Sequence, residues 1–156
     1  MHSGKTAPRS VLGRVKVSYP RLLRILVPLD FSGKSRQALR YAVPLAQKFS
    51  ARIHLVHVLP TPSKSELAEL PRLRQQALRR LGEMALQLLP PRLRDENAVL
   101  AGNPAESILA LAEKNNIDLI VLTTKGRTGL KRVLVGSTAE HIMRHAPCPV
   151  MSVRRR

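Results

Sequence analysis

Two rhythms of apolar residues alternate along this chain. Unbroken apolar runs are separated by stretches in which apolar positions return every three or four residues. The first run is Leu22 to Leu29, LLRILVPL, closed by Asp30. The second, Arg52 to Leu59 (RIHLVHVL), stops at Pro60-Thr61-Pro62. Three shorter runs follow at Ala98 to Ala101, Asp118 to Thr123 and Val150 to Val153. Runs this continuous suit strands buried on both faces of a sheet.

The intervening stretches predict helices. Ser32 is a candidate cap, and Leu39, Ala42, Ala46 and Phe49 follow at helical spacing. Pro44 lies inside that pattern and is expected to kink the helix or end it early. Residues 64 to 89 predict a long helix with Leu67, Leu70, Leu73, Leu78, Leu81, Ala85 and Leu88 facing inward, stopped by Pro90-Pro91. Asn103 can cap a helix that takes Pro104 as its first residue and runs to about Lys114. Residues 137 to 145 form the last helix. The order β-α-β-α-β-α-β, a loop, then α-β predicts an α/β fold, a single doubly wound domain with a mostly parallel sheet and helices on both faces. Ligands of such folds bind beyond the C-terminal strand ends, where strand order reverses. Asp30 and Thr123 stand at two such ends.

Composition narrows the choice. With 44% hydrophobic residues the chain is a folded one, and with 3% aromatic residues and no Trp its core is aliphatic. So few rings also exclude a base-stacking platform for single-stranded nucleic acid. The net charge of +17 attracts phosphate-bearing partners without choosing among them. Lys5, Arg9, Arg14, Lys16 and Arg21, with no acid between them, mark residues 1 to 21 as a mobile basic arm before a domain spanning 22 to 153; residues 154 to 156 are a basic tail. A single cysteine, Cys148, suits a reducing compartment. No apolar run approaches the roughly 20 residues of a membrane span, and no secretion signal is visible, so the cytoplasm is the expected location.

The candidate chemistry lies in Leu122 to Thr138, LTTKGRTGLKRVLVGST. A polyphosphate needs backbone donors in a concave loop, and small residues that let the backbone approach. Gly126 follows the fourth strand, and Gly136-Ser137-Thr138 opens a helix whose free N–H groups favour an anion. The Ser137 and Thr138 hydroxyls add donors, and Lys125 and Arg127 add positive charge. The same residues have a ligand-free account: Ser137-Thr-Ala-Glu140 is a capping box, and glycines after strands are turn residues. His141 and His145 lie one helical turn apart, but no third ligand stands at convincing spacing, so no metal site is read. His54 and His57 fall on opposite faces of a strand and are expected as packed or rim residues.

RILVPLDFS (24 to 32), IHLVHV (53 to 58), GNPAESIL (102 to 109) and DLIVLTTKGRTGLKRVLVGSTAEHIMRHAPCPVMSV (118 to 153) resemble the universal stress protein family. The resemblance extends from about Leu23 to Val153. It implies a parallel five-stranded sheet of order 3-2-1-4-5. It also implies ATP as ligand, with ADP, AMP and an accompanying Mg ion left open, and a homodimer through Val150 to Val153. The family's Gly-x2-Gly-x9-Gly-Ser/Thr pattern is met at Gly126, Gly136 and Ser137, but Thr123 stands where the first glycine belongs. By the same resemblance Asp30 lies near the adenine or ribose, and Pro28, Val58 and Leu122 wall the base. The expected function is that of an adenine-nucleotide-binding, dimeric regulator of the stress response. No evident base directs water at a γ-phosphate, so at most slow ATP hydrolysis is expected. Two other readings stay open. One is the same dimer without nucleotide, with Thr123 marking the loss. The other is a basic protein whose arm and arginine-rich helix bind nucleic acid or an acidic surface.

Overall fold

The computed structural model describes residues 21–124 and 136–154. The basic arm apart from Arg21 therefore lies outside the described residues, as do Lys125, Gly126, Arg127 and Gly129. Five strands, β1 (Arg24–Pro28), β2 (Arg52–Leu59), β3 (Ala98–Ala101), β4 (Leu119–Thr123) and β5 (Val150–Val153), alternate with helices α1 (Gln37–Phe49), α2 (Leu70–Leu88), α3 (Pro104–Lys114) and α4 (Ser137–His145). The strands form one parallel sheet ordered β3-β2-β1-β4-β5, as the family resemblance implied.

Alternation along the strands sorts the core into two layers. Ile25, Val27, Ile53, Leu55 and Val121 face α1 and α2, while Leu26, Val56, Ile120 and Leu122 face α3 and α4. Both layers are aliphatic, as the scarcity of aromatic residues required. At the lower, N-terminal end of the sheet, Asp118 Oδ2 accepts the backbone N–H groups of Leu23 and Arg24 at 2.8 and 2.9 Å. Asp118 thus clamps the starts of β1 and β4 and lies before the fourth strand, one residue outside it. Among the described residues no helix is long and apolar enough to cross a membrane.

Three local expectations change. α1 runs through Pro44 without ending: Pro44 lies on the exposed face, where an unpaired carbonyl costs least, while Ala38, Leu39, Ala42 and Ala46 hold the inner face. Ser32 caps a turn that precedes the helix: its Oγ accepts the Ser35 N–H at 3.1 Å, and α1 begins two residues after Ser35. The long helix starts at Leu70 rather than 64, and its buried residues are Ala77, Leu81, Met84 and Ala85. Leu67, Leu73, Leu78 and Leu88 are 54, 43, 46 and 43% exposed. At about 100° per residue, Leu73 and Leu78 fall on opposite flanks of the inward stripe, and small Ala77 and Ala85 let the helix sit close to the sheet.

His54 is 5% exposed on the α3 side of β2, and its Nε2 has no hydrogen-bond partner. Burial lowers its pKa from 6.5; Asp95 and Glu96 oppose the shift and Arg24 adds to it. A histidine with a lowered folded-state value takes up its proton more readily when unfolded. Its contribution to stability is complete above 6.5 and is lost as pH falls from there through the folded value. Urea denaturation is therefore expected to give a smaller stability at pH 5.5 than at 7.5, and His54→Leu is expected to narrow that gap. An unchanged gap in the variant would assign the acid sensitivity to other groups.

Candidate functional site at the sheet switch point

β1 is the hinge of the topology, with β2 on one side and β4 on the other. Its ladder to β2 covers all five residues, from Arg24↔Arg52 to Pro28↔Val56, and continues with the Leu29 N–H donating to the Val56 carbonyl at 2.8 Å. Its ladder to β4 has only two pairs, Ile25↔Leu119 and Leu26↔Ile120. β4 meanwhile stays paired with β5 up to Thr123↔Val153. The two central strands therefore part toward their C-terminal ends, and a crevice opens where such folds bind ligands.

Pro28, Val58 and Leu122 end on the same side of the sheet, the side of α3 and α4. Pro28 and Val58 are half-buried, and Leu122 is 3% exposed. Val58 packs against the Leu122 layer. Thr123 is half-buried at the end of β4, and strand alternation turns its side chain to the opposite face, with Val121. The Thr123 side chain therefore lies on the face opposite Pro28, Val58 and Leu122.

Asp30 follows β1 at the crevice. Its Oδ1 accepts the Ser32 N–H at 2.9 Å, so the carboxylate shapes the turn. Between them Phe31 takes a left-handed backbone, φ 61°. The turn is braced by two residues that sequence patterns did not connect with it. His57 Nδ1 lies 2.6 Å from the Leu29 carbonyl and must be the donor; its ring stands 4.2 Å from that of Phe31. The Arg80 guanidinium covers the Phe31 ring at 4.4 Å. The signal in the sequence was faint: a histidine and a phenylalanine among few rings, each near the end of a strand.

The capping box does not form. α4 begins at Ser137, its N-cap is Gly136, and no side chain among the described residues caps it. Glu140 N–H donates to the Gly136 carbonyl, so the first intrahelical bond leaves the N–H groups of Ser137, Thr138 and Ala139 outside the ladder. Ser137 and Thr138 are exposed. A side-chain cap is missing because the position that needs one holds glycine. Glycine is there for close approach: its N–H donates to the Thr124 carbonyl at 2.7 Å, and a Cβ at 136 would stand 3.3 Å from that oxygen. Thr124, 4% exposed and not singled out by sequence, thereby holds the start of α4 against the end of β4. A helix N-terminus without a side-chain cap, beside the opening of the sheet, presents donors and the positive end of a dipole to an anion.

Other candidates do not join this site. Among the described residues no group of three or more His, Cys, Asp or Glu side chains is placed to hold a metal ion. Cys148 is half-buried, and burial with Asp118 nearby pushes its thiol up, which keeps it protonated and inert. A groove of about 650 Å³ beside α1, with Arg36, Arg40 and Leu88 in its wall, contains none of the candidate nucleotide-binding residues.

The comparisons with known proteins converge. A universal stress protein of Methanocaldococcus jannaschii is 34% identical over 142 residues, 85% of this chain and 82% of the relative. The structure of the universal stress protein UspA from Lactobacillus plantarum superimposes with a TM-score of 0.70 at 29% identity, covering 86% of this chain and 99% of that one. A universal stress protein solved in complex with cAMP shares the fold, with a TM-score of 0.67 at 19% identity over 88% of this chain and 100% of its own. The model of the universal stress protein family matches residues 22–154, so nearly the whole chain carries the family's pattern, and the protein is a member of that family.

Proposed function

We propose that the protein is an adenine-nucleotide-binding regulator, taking the base against Pro28, Val58 and Leu122 and the phosphates at the start of α4. The observation that carries this reading is the N-terminus of α4, held at the end of β4 by Gly136 and uncapped by any described side chain, beside the parted strands. The cAMP complex of a protein with the same fold supports an adenine nucleotide over other anions. ATP is the expected ligand, with Gly126 and Arg127 completing the phosphate contacts and Mg accompanying them. Asp30 lies at the mouth of the crevice for the ribose or adenine. A partner reads the nucleotide-bound state.

Native mass spectrometry of freshly purified protein, followed by calorimetric titration with ATP, ADP, AMP and cAMP, tests the reading. A bound adenine nucleotide, or saturable heat with at least one of the four, is expected. Thr123→Gly should change the affinity by less than about threefold, because the side chain points away from the base-facing side. No co-purified nucleotide and no heat at millimolar concentration would leave the crevice without this ligand.

A further inference from the structure

The exposed side of α4 carries a second constellation. Ala139 and Ile142 face the core, while His141 and His145 lie in solvent. Their rings are stacked, with centroids 4.3 Å apart and planes inclined by 28°. His145 Nδ1 is 2.9 Å from the His141 carbonyl oxygen. A carbonyl cannot donate, so Nδ1 holds the proton, and in the neutral ring Nε2 keeps its lone pair. This is the tautomer of metal-ligating histidines, whose second nitrogen donates to a backbone carbonyl and fixes the ring. A second imidazole one turn earlier lies on the same strip of the helix. His145 is in the last turn, where the negative end of the helix dipole favours a cation. The nearest carboxylate on the helix, Glu140, is engaged by Arg144 at 3.0 Å.

We propose that His141 and His145 form a two-imidazole site for a borderline divalent transition metal, Cu(II), Ni(II) or Zn(II), with water filling the other positions. Imidazole nitrogens select these ions over Mg(II) and Ca(II), which take oxygen ligands, and Cu(II) binds tightest in the usual order of stabilities. Two protein ligands make an open, reversible site. His145 lies about 12 Å along the helix from Ser137, so the metal and the nucleotide occupy opposite ends of α4.

The test uses the full chain without an affinity tag and with His2→Ala, so that the N-terminal imidazole does not compete. Ni(II) and Zn(II) are titrated calorimetrically, and Cu(II) is followed by electron paramagnetic resonance. One ion per chain is expected, with a two-nitrogen signature for Cu(II). His141→Phe and His145→Phe keep a ring in place and remove a ligand; each should weaken binding roughly tenfold or more, as a chelate becomes a single imidazole. Arg144→Ala should bind like the parent, and circular dichroism should show all variants folded. Equal binding by the parent and both phenylalanine variants would overturn the site, as would no uptake by the parent at about 100 μM metal.

Discussion

Gly136→Val is expected to abolish adenine-nucleotide binding while the sheet stays folded. The oxygen 3.3 Å from a Cβ at this position is the Thr124 carbonyl, the same atom that accepts the Gly136 N–H at 2.7 Å. Valine adds two methyl groups beyond that Cβ, so the two backbones must separate and the bond is lost. The start of α4 then moves away from β4, and the donors no longer converge on the phosphates. Overpacking of this kind costs about 1–3 kcal/mol, which a domain of this size survives. Gly136→Ala should be intermediate, since it adds only the Cβ. Calorimetry with ATP checks the binding and urea denaturation checks the fold. If the valine variant binds as the parent does, the phosphates do not lie at this helix start.

Ser152→Pro is expected to convert a dimer into folded monomers. β5 is an edge strand, paired only with β4. The Ile120 N–H donates to the Pro149 carbonyl at 3.0 Å, so residues 149, 151 and 153 turn their backbone groups toward β4. Residues 150 and 152 turn theirs outward, where an unpaired apolar edge invites a second strand. We propose that this strand is β5 of another copy, related by a two-fold axis. Proline at 152 removes an outward donor and leaves the ladder to β4 intact, whereas proline at 151 would break the molecule's own sheet. Light scattering at micromolar concentration should give a dimer for the parent and a monomer for the variant. A monomeric parent would end the proposal.

The sheet was legible in the sequence because its strands are buried on both faces and punctuated by turn residues. Arg52–Leu59, Ala98–Ala101 and Val150–Val153 were predicted to the residue, since each is an apolar run set off by Pro, Gly or charged neighbours. The inner face of α2 was legible only in part: Leu81 and Ala85 were read as inward and are buried, while Ala77 and Met84 were missed and the exposed leucines were taken as core. With leucine on the flanks as well as in the stripe, composition gives no direction, and the deciding residues are the small Ala77 and Ala85. Pro44 misled for a related reason: its cost depends on whether the orphaned carbonyl faces water, which a local pattern does not reveal. At the site, Gly136 and Ser137 were both named, but with the cap one residue out of place. Only the contact between residues 124 and 136, far apart in sequence and adjacent in space, shows why glycine must precede the helix.

Because β1 lies between β2 and β4, its second edge waits for residues made much later. The bond from the Leu23 N–H to Asp118 spans 95 positions of the chain. From the end of β2 at Leu59 to the start of β4 at Leu119, at about 5–20 residues per second of synthesis, β1 spends roughly 3–12 s beside β2 with its other side bare. During that interval Ile25, Leu26 and Val27, all at 0% exposure in the finished molecule, are covered on one flank only. A nascent chain stalled before Leu119 is thus a half-sheet with a sticky border, open to chaperones or to another stalled chain, and the last quarter of the sequence is what closes it.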